Sequence, residues 1–236
     1  MGRMCCMNYR LVVFNMDNTL YPEASNFYIA KYVAAVDQNF SVDEFLKKEE
    51  ELRVKKRELR EQGRIDELPK LEDEYTSLLM FRKNLTDEDI SVVCEGIPFY
   101  SGIAETIDAI KKCGAKVALI TTGPEPIARR CKDCYDFDYV HATGWEFIDG
   151  RFTGNEMNDQ WNKGKVLERY QKEHGISSAD TVVVEYSDWN VCDRAGLVVL
   201  LNPHQSIFDM GQKIKDSNVV YISSSNMRDI LPHIIE

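Results

Sequence analysis

Short apolar runs, each ending abruptly in polar residues, recur along the chain and alternate with stretches of helical periodicity. The first, within residues 10–16, is built on Leu11-Val12-Val13-Phe14 and reads as a buried strand. Residues 115–120, 181–186, 197–201 and 219–222 repeat the pattern and predict four more core strands. Runs apolar throughout, rather than alternating, belong to strands covered on both faces, so the expected class is α/β with a doubly wound, mostly parallel sheet. A hairpin is expected where Trp145-Glu146-Phe147-Ile148 and Arg151-Phe152-Thr153 flank Asp149-Gly150, a type I′ turn pair.

The βα rhythm is interrupted after the first strand. Residues 27–79 are charged and helical in period. Ser41-Val42-Asp43-Glu44 has the spacing of a capping box, Gln62-Gly63 breaks the helix, and residues 65–80 read as a second helix returning. Acids and bases alternating over residues 47–60 are the mark of a solvated face, or of a partner-binding helical hairpin. Thr86-Asp87-Glu88-Asp89 caps another helix and Ile97-Pro98 ends the segment. The chain therefore divides into an α/β core of residues 1–21 and 96–236 and a helical insertion of residues 22–95. In the core, Ser101 is expected to open a helix that Cys113-Gly114 stops.

At 236 residues, with 44% hydrophobic and 29% charged side chains, the chain can bury one sizeable core. A net charge of −10 without a basic stripe excludes nucleic acid and acidic membranes as main partners. No apolar run approaches the roughly 18 residues that span a bilayer, no leader precedes the first strand, and seven scattered cysteines suit a reducing compartment; a cytoplasmic protein is expected. Cys131-Lys132-Asp133-Cys134 lacks the second pair a zinc site needs and reads as a helix-end pair.

The candidate chemistry stands where the strands end. After the first comes Asn15-Met16-Asp17-Asn18-Thr19, after the second Thr121-Thr122-Gly123-Pro124, and after the third Asp188 and Asp193. Hydroxyls and amides at such turns can hold phosphate oxygens, and two acids at the end of a buried strand call for a hard cation such as Mg²⁺. Lys163, in Asn162-Lys163-Gly164-Lys165-Val166-Leu167, opens a helix.

In this order these segments resemble the four motifs of the haloacid dehalogenase superfamily. The hairpin phrase and Arg82-Lys83-Asn84-Leu85 resemble its phosphoserine-phosphatase-like branch, subfamily IB. The resemblance implies a Rossmann-like core with a type I helical cap, and Mg²⁺-dependent hydrolysis of a small phosphorylated metabolite through an aspartyl phosphate. It places catalytic roles on Asn15, Asp17, Thr121 and Lys163, with Lys165 the lesser choice for the lysine. Substrate contacts fall on Asn18, Glu23, Thr122 and Gly123, and metal ligation on Asn15, Asp17, Asp188 and Asp193. Several positions depart from the family pattern. Asn15 stands where the family has the nucleophilic Asp, and a carboxamide is a very poor nucleophile. Cys192 stands where some relatives have the closer second acid. The acid and the arginine that phosphoserine phosphatases use for substrate fall on Ala24, one step from Glu23, and near Leu78. The chain is thus expected to be inactive as it stands, either because an Asp was exchanged to trap a ligand or as a natural pseudoenzyme that binds a phosphorylated ligand or protein.

Overall fold

The computed structural model describes residues 8–157, 162–187, 189–203 and 218–235. Seven strands form one sheet: β1 (Leu11–Phe14), β2 (Lys116–Pro124), β3 (Tyr139–Ile148), β4 (Arg151–Met157), β5 (Thr181–Glu185), β6 (Leu197–Leu201) and β7 (Val219–Ile222). Their order is β4-β3-β2-β1-β5-β6-β7. β1 pairs in parallel with β2 on one side and β5 on the other, Phe14 lying opposite Leu119 and Val184. From β1 the chain winds outward one way through β2 and β3, then returns and winds the other way through β5, β6 and β7. The order reverses beside β1, and the crevice outside the carboxyl ends at such a switch point is where open α/β sheets bind ligands.

The helices are α1 (Ser25–Val36), α2 (Val42–Glu61), α3 (Leu68–Leu78), α4 (Asp87–Glu95), α5 (Ile103–Lys112), α6 (Glu125–Cys134), α7 (Lys163–His174), the short α8 (Trp189–Cys192) and α9 (Leu231–Ile234). The chain splits into two compact units, one of residues 1–24, 98–144 and 157–236 and one of residues 25–97 and 145–156.

In the first unit, one face of the sheet presents Leu11, Val13, Ala118, Ile120, Val183, Val198 and Leu200, which pack with Val166, Leu167 and Tyr170 of α7 and with Val191 and Cys192 of α8. Spacing of 3 and 4 puts those α7 residues on one stripe, and burying it fixes where the helix begins. Asn162 caps that beginning, its side chain accepting from the Lys165 amide at 3.2 Å, and Gly175 closes the other end at φ +58°. Gly164 permits a close approach: a Cβ there would stand 2.3 Å from the Asn190 carbonyl oxygen of α8.

The second unit is held by Phe45, Leu79 and Ala30 with Phe40 and Phe81, and by Leu52, Leu59 and Leu71 along the α2–α3 pair. Arg82, buried against the Trp145 and Phe152 rings, bonds Glu156 at 2.8 Å.

Several local expectations change. β2 does not stop at Ile120 but continues, through a register shift, to pair Pro124 with Thr143. Residues 139–143, mixed in polarity and half-buried, were not expected as a core strand, yet they pair with β2. The hairpin residues 145–156, assigned above to the core, group with the helical unit. Its turn has φ +50° at Asp149 and +73° at Gly150, as type I′ requires. Ser41 accepts from the Glu44 amide without the reciprocal bond, whereas Thr86 and Asp89 make the full capping box. Residues 65–80 are a helix flanked by 3₁₀ turns, and α5 begins after Gly102 rather than at Ser101.

Candidate active site

At the switch point the structure brings Lys163 to Asn15 and Gly123 to Asp17. Asn15 follows β1, its amide continuing the ladder to the Val184 carbonyl at 2.9 Å. Its side-chain oxygen accepts from the Lys163 ammonium at 3.4 Å, and its amide nitrogen donates to the Asp17 carbonyl at 2.7 Å and the Thr19 hydroxyl at 3.2 Å. A carboxylate could make the first of these contacts but not the donation to a carbonyl. Asn18 turns the chain at φ +59°, a left-handed conformation that Asn tolerates better than most residues.

Lys163, at the start of α7, is only 5% exposed and forms an ion pair with Glu185, 1% exposed, at the end of β5. The other Glu185 oxygen accepts from the Tyr186 amide at 3.0 Å. Two charges taken out of water at this depth must be paired; removing one partner of such a pair costs about 3–5 kcal/mol. Lys165 is exposed, so the structure puts Lys163 at this junction. Glu185 was missed by sequence reasoning. The available signal was an acid closing the run Val182-Val183-Val184, but its partner is 22 residues away on a helix.

Asp17 receives a 2.6 Å hydrogen bond from the Tyr21 hydroxyl, also unforeseen; Tyr21 is fully buried and meets Phe99 edge-on. The end of β2, Thr121-Thr122-Gly123, closes on the same acid. A Cβ on Gly123 would stand 3.0 Å from an Asp17 carboxylate oxygen and 2.5 Å from the Met16 methyl, so any larger residue would make these two side chains shift. The buried Thr121 hydroxyl accepts from the Gly123 amide at 3.0 Å, and the Thr122 carbonyl accepts from Thr143 at 2.7 Å.

Glu23 and Thr122 are exposed. Asp193 is exposed in the turn after α8. Asp188 lies outside the described residues, and among the described residues no three acidic, His or Cys side chains gather as a cation site. The oxygen donors of Asn15 and Asp17 are nonetheless of the hard type that Mg²⁺ prefers. Among the described residues no helix is long and apolar enough to cross a membrane.

The chain is 27% identical to a phosphoserine phosphatase of Archaeoglobus fulgidus over 91% of its own length, but spans only 59% of that enzyme. It is 25% identical to the phosphoserine phosphatase of Methanocaldococcus jannaschii, covering 95% of this chain and 97% of that one. A solved substrate-bound phosphoserine phosphatase complex superposes with a TM-score of 0.71 at 25% identity, covering 96% of this chain and 98% of the other. The family model for haloacid dehalogenase-like hydrolases matches residues 12–190, from β1 with its Asn15 turn through Lys163 and the end of β5, and the chain belongs to that family.

Proposed function

We propose that this chain is a phosphatase of the haloacid dehalogenase type, built to bind a small phosphomonoester and Mg²⁺ at the ends of β1, β2 and β5 and lacking its nucleophile at Asn15. The observation that carries this function is the buried Lys163 ammonium beside the Asn15 side chain. A cation held at the end of β1 by the start of a helix is placed to neutralise a phosphoryl group. Similarity to phosphoserine phosphatases supports the class of reaction; the departures at Ala24 and near Leu78 favour another small phosphorylated metabolite over phosphoserine itself.

With N15D the steps follow from the family chemistry. The carboxylate at position 15 attacks phosphorus in line and the bond to the leaving oxygen breaks. Asp17 gives that oxygen a proton, then takes one from the water that hydrolyses the acyl phosphate. The Tyr21 hydroxyl orients Asp17 for both transfers. Lys163 and the Thr121 hydroxyl, whose oxygen already accepts from Gly123 and whose proton is left to donate, stabilise the equatorial oxygens. Residue 15 and Asp17, with Asp188 by sequence, would hold Mg²⁺, which would supply further positive charge there. The helical unit sets substrate range.

A second function, phosphate binding without turnover, is favoured by the amide of Asn15, which donates to two oxygens that a carboxylate could not serve in the same way. N15D separates the two. Mg²⁺-dependent release of phosphate from an aryl phosphate, at several orders of magnitude above the Asn15 protein, is expected of a phosphatase scaffold. No hydrolysis by N15D across a panel of phosphomonoesters would leave phosphate binding as the function.

A further inference from the structure

We propose that Glu185 has taken over Lys163 from position 15, so that the site carries its lysine's carboxylate on β5 instead of β1, and that this carboxylate limits how strongly Lys163 holds a phosphate. The inference rests on the phosphoryl-binding function above. Three observations carry it. Glu185 already forms an ion pair with Lys163 inside the protein. The Asn15 oxygen lies 3.4 Å from the same ammonium, so an Asp there would bring a second anionic oxygen to one cation. The other end of the Asn15 amide is matched to the Asp17 carbonyl at 2.7 Å, which an anionic oxygen in that place would face acceptor to acceptor.

Asn15 and Glu185 are thus two halves of one arrangement. Two carboxylates crowded on one buried ammonium repel each other. Glu185 is also fixed without help from any ligand, its second oxygen accepting from the Tyr186 amide. Asn15 and Glu185 stand at adjacent strand ends, so the carboxylate that pairs with Lys163 stands on β5 and the neutral amide on β1. A phosphate entering this site must share Lys163 with Glu185 or displace it.

The test is a double-mutant cycle on the full chain: the starting protein, E185Q, N15D and N15D/E185Q. Thermal melting reads the charge exchange without any reaction. E185Q should melt lower because it leaves a buried cation short of its partner, N15D should melt lower because it crowds two acids, and the double variant should regain most of both losses. A double variant that folds where E185Q does not would count the same way; additive losses, or a double variant that also fails to fold, would overturn the inference. Titration with inorganic phosphate reads the functional half. E185Q should bind phosphate about tenfold or more tighter, the effect of freeing a charged donor. Unchanged affinity would make Glu185 a structural counter-ion alone and the inference would fall. Hydrolysis of an aryl phosphate should be about tenfold faster for N15D/E185Q than for N15D, and equal rates would count against it. If melting and phosphate binding behave as expected but neither N15D protein hydrolyses anything, the charge exchange stands and the phosphatase function fails.

Discussion

Gly123 shows how much of the site depends on single atoms. It lies in β2 at ordinary backbone angles, so what favours glycine is the close approach of the Met16 and Asp17 side chains. Gly123→Ala should cost about 1–3 kcal/mol in urea denaturation, the usual penalty for forcing a methyl into a filled space. It should also weaken phosphate binding, because Asp17 must give way. An unchanged unfolding midpoint would mean that the Met16 methyl simply swings aside. Lys163 and Asp17 were legible in the sequence because their motifs are local: an apolar strand with its polar stop, a helix start with its lysine. Glu185 and Tyr21 were not, since what brings each into the candidate site is a partner supplied by the fold: Lys163 crosses 22 residues to Glu185, and Tyr21 reaches Asp17 only after the turn at Asn18 is made.

Elements follow the same division. Strands β1, β5 and β6 are continuous in apolar residues and were readable with near-correct bounds, whereas residues 139–143 needed β2 beside them to become a strand. That Thr86-Asp87-Glu88-Asp89 caps α4 was readable, but the reciprocal box with Asp89 and the bond from Tyr32 of α1 emerge only in the fold. Burial works against the Asp89 charge, yet hydrogen bonds from Tyr32 and from the Thr86 amide and hydroxyl outweigh it and hold the carboxyl below its ordinary 3.8. A depressed folded value means stability that is fully present above the unfolded value and lost as pH falls through the folded one. Helical circular dichroism should therefore show the melting midpoint dropping as pH is lowered from about 4 toward 2. Asp89→Asn should start from a lower midpoint at pH 7 and show a shallower acid decline. An acid limb of the same steepness in that variant would assign the loss to other carboxylates.

At the scale of the whole molecule, every described residue to which a catalytic role is given belongs to the first unit, while the second carries packed aromatics, an α2–α3 pair and the hairpin end. Within the second unit the α2–α3 pair has two separable parts. Phe45 packs with Phe40 and Phe81 near the base, whereas Leu52, Leu59 and Leu71 line the outer length, where Lys56 also pairs with Glu72. Replacing residues 53–70 with a short Gly/Ser turn would remove the outer length and leave the base cluster intact. If the helical unit sets substrate range and supplies no reacting group, this deletion in the N15D background should keep hydrolysis of a small aryl phosphate within about threefold and narrow the preference among phosphomonoesters of different size. Circular dichroism and a cooperative melt establish that the variant is folded, and rates across the panel then decide. A folded deletion without activity on any small phosphoester would place an essential group in the excised helices and reassign part of the chemistry to the second unit.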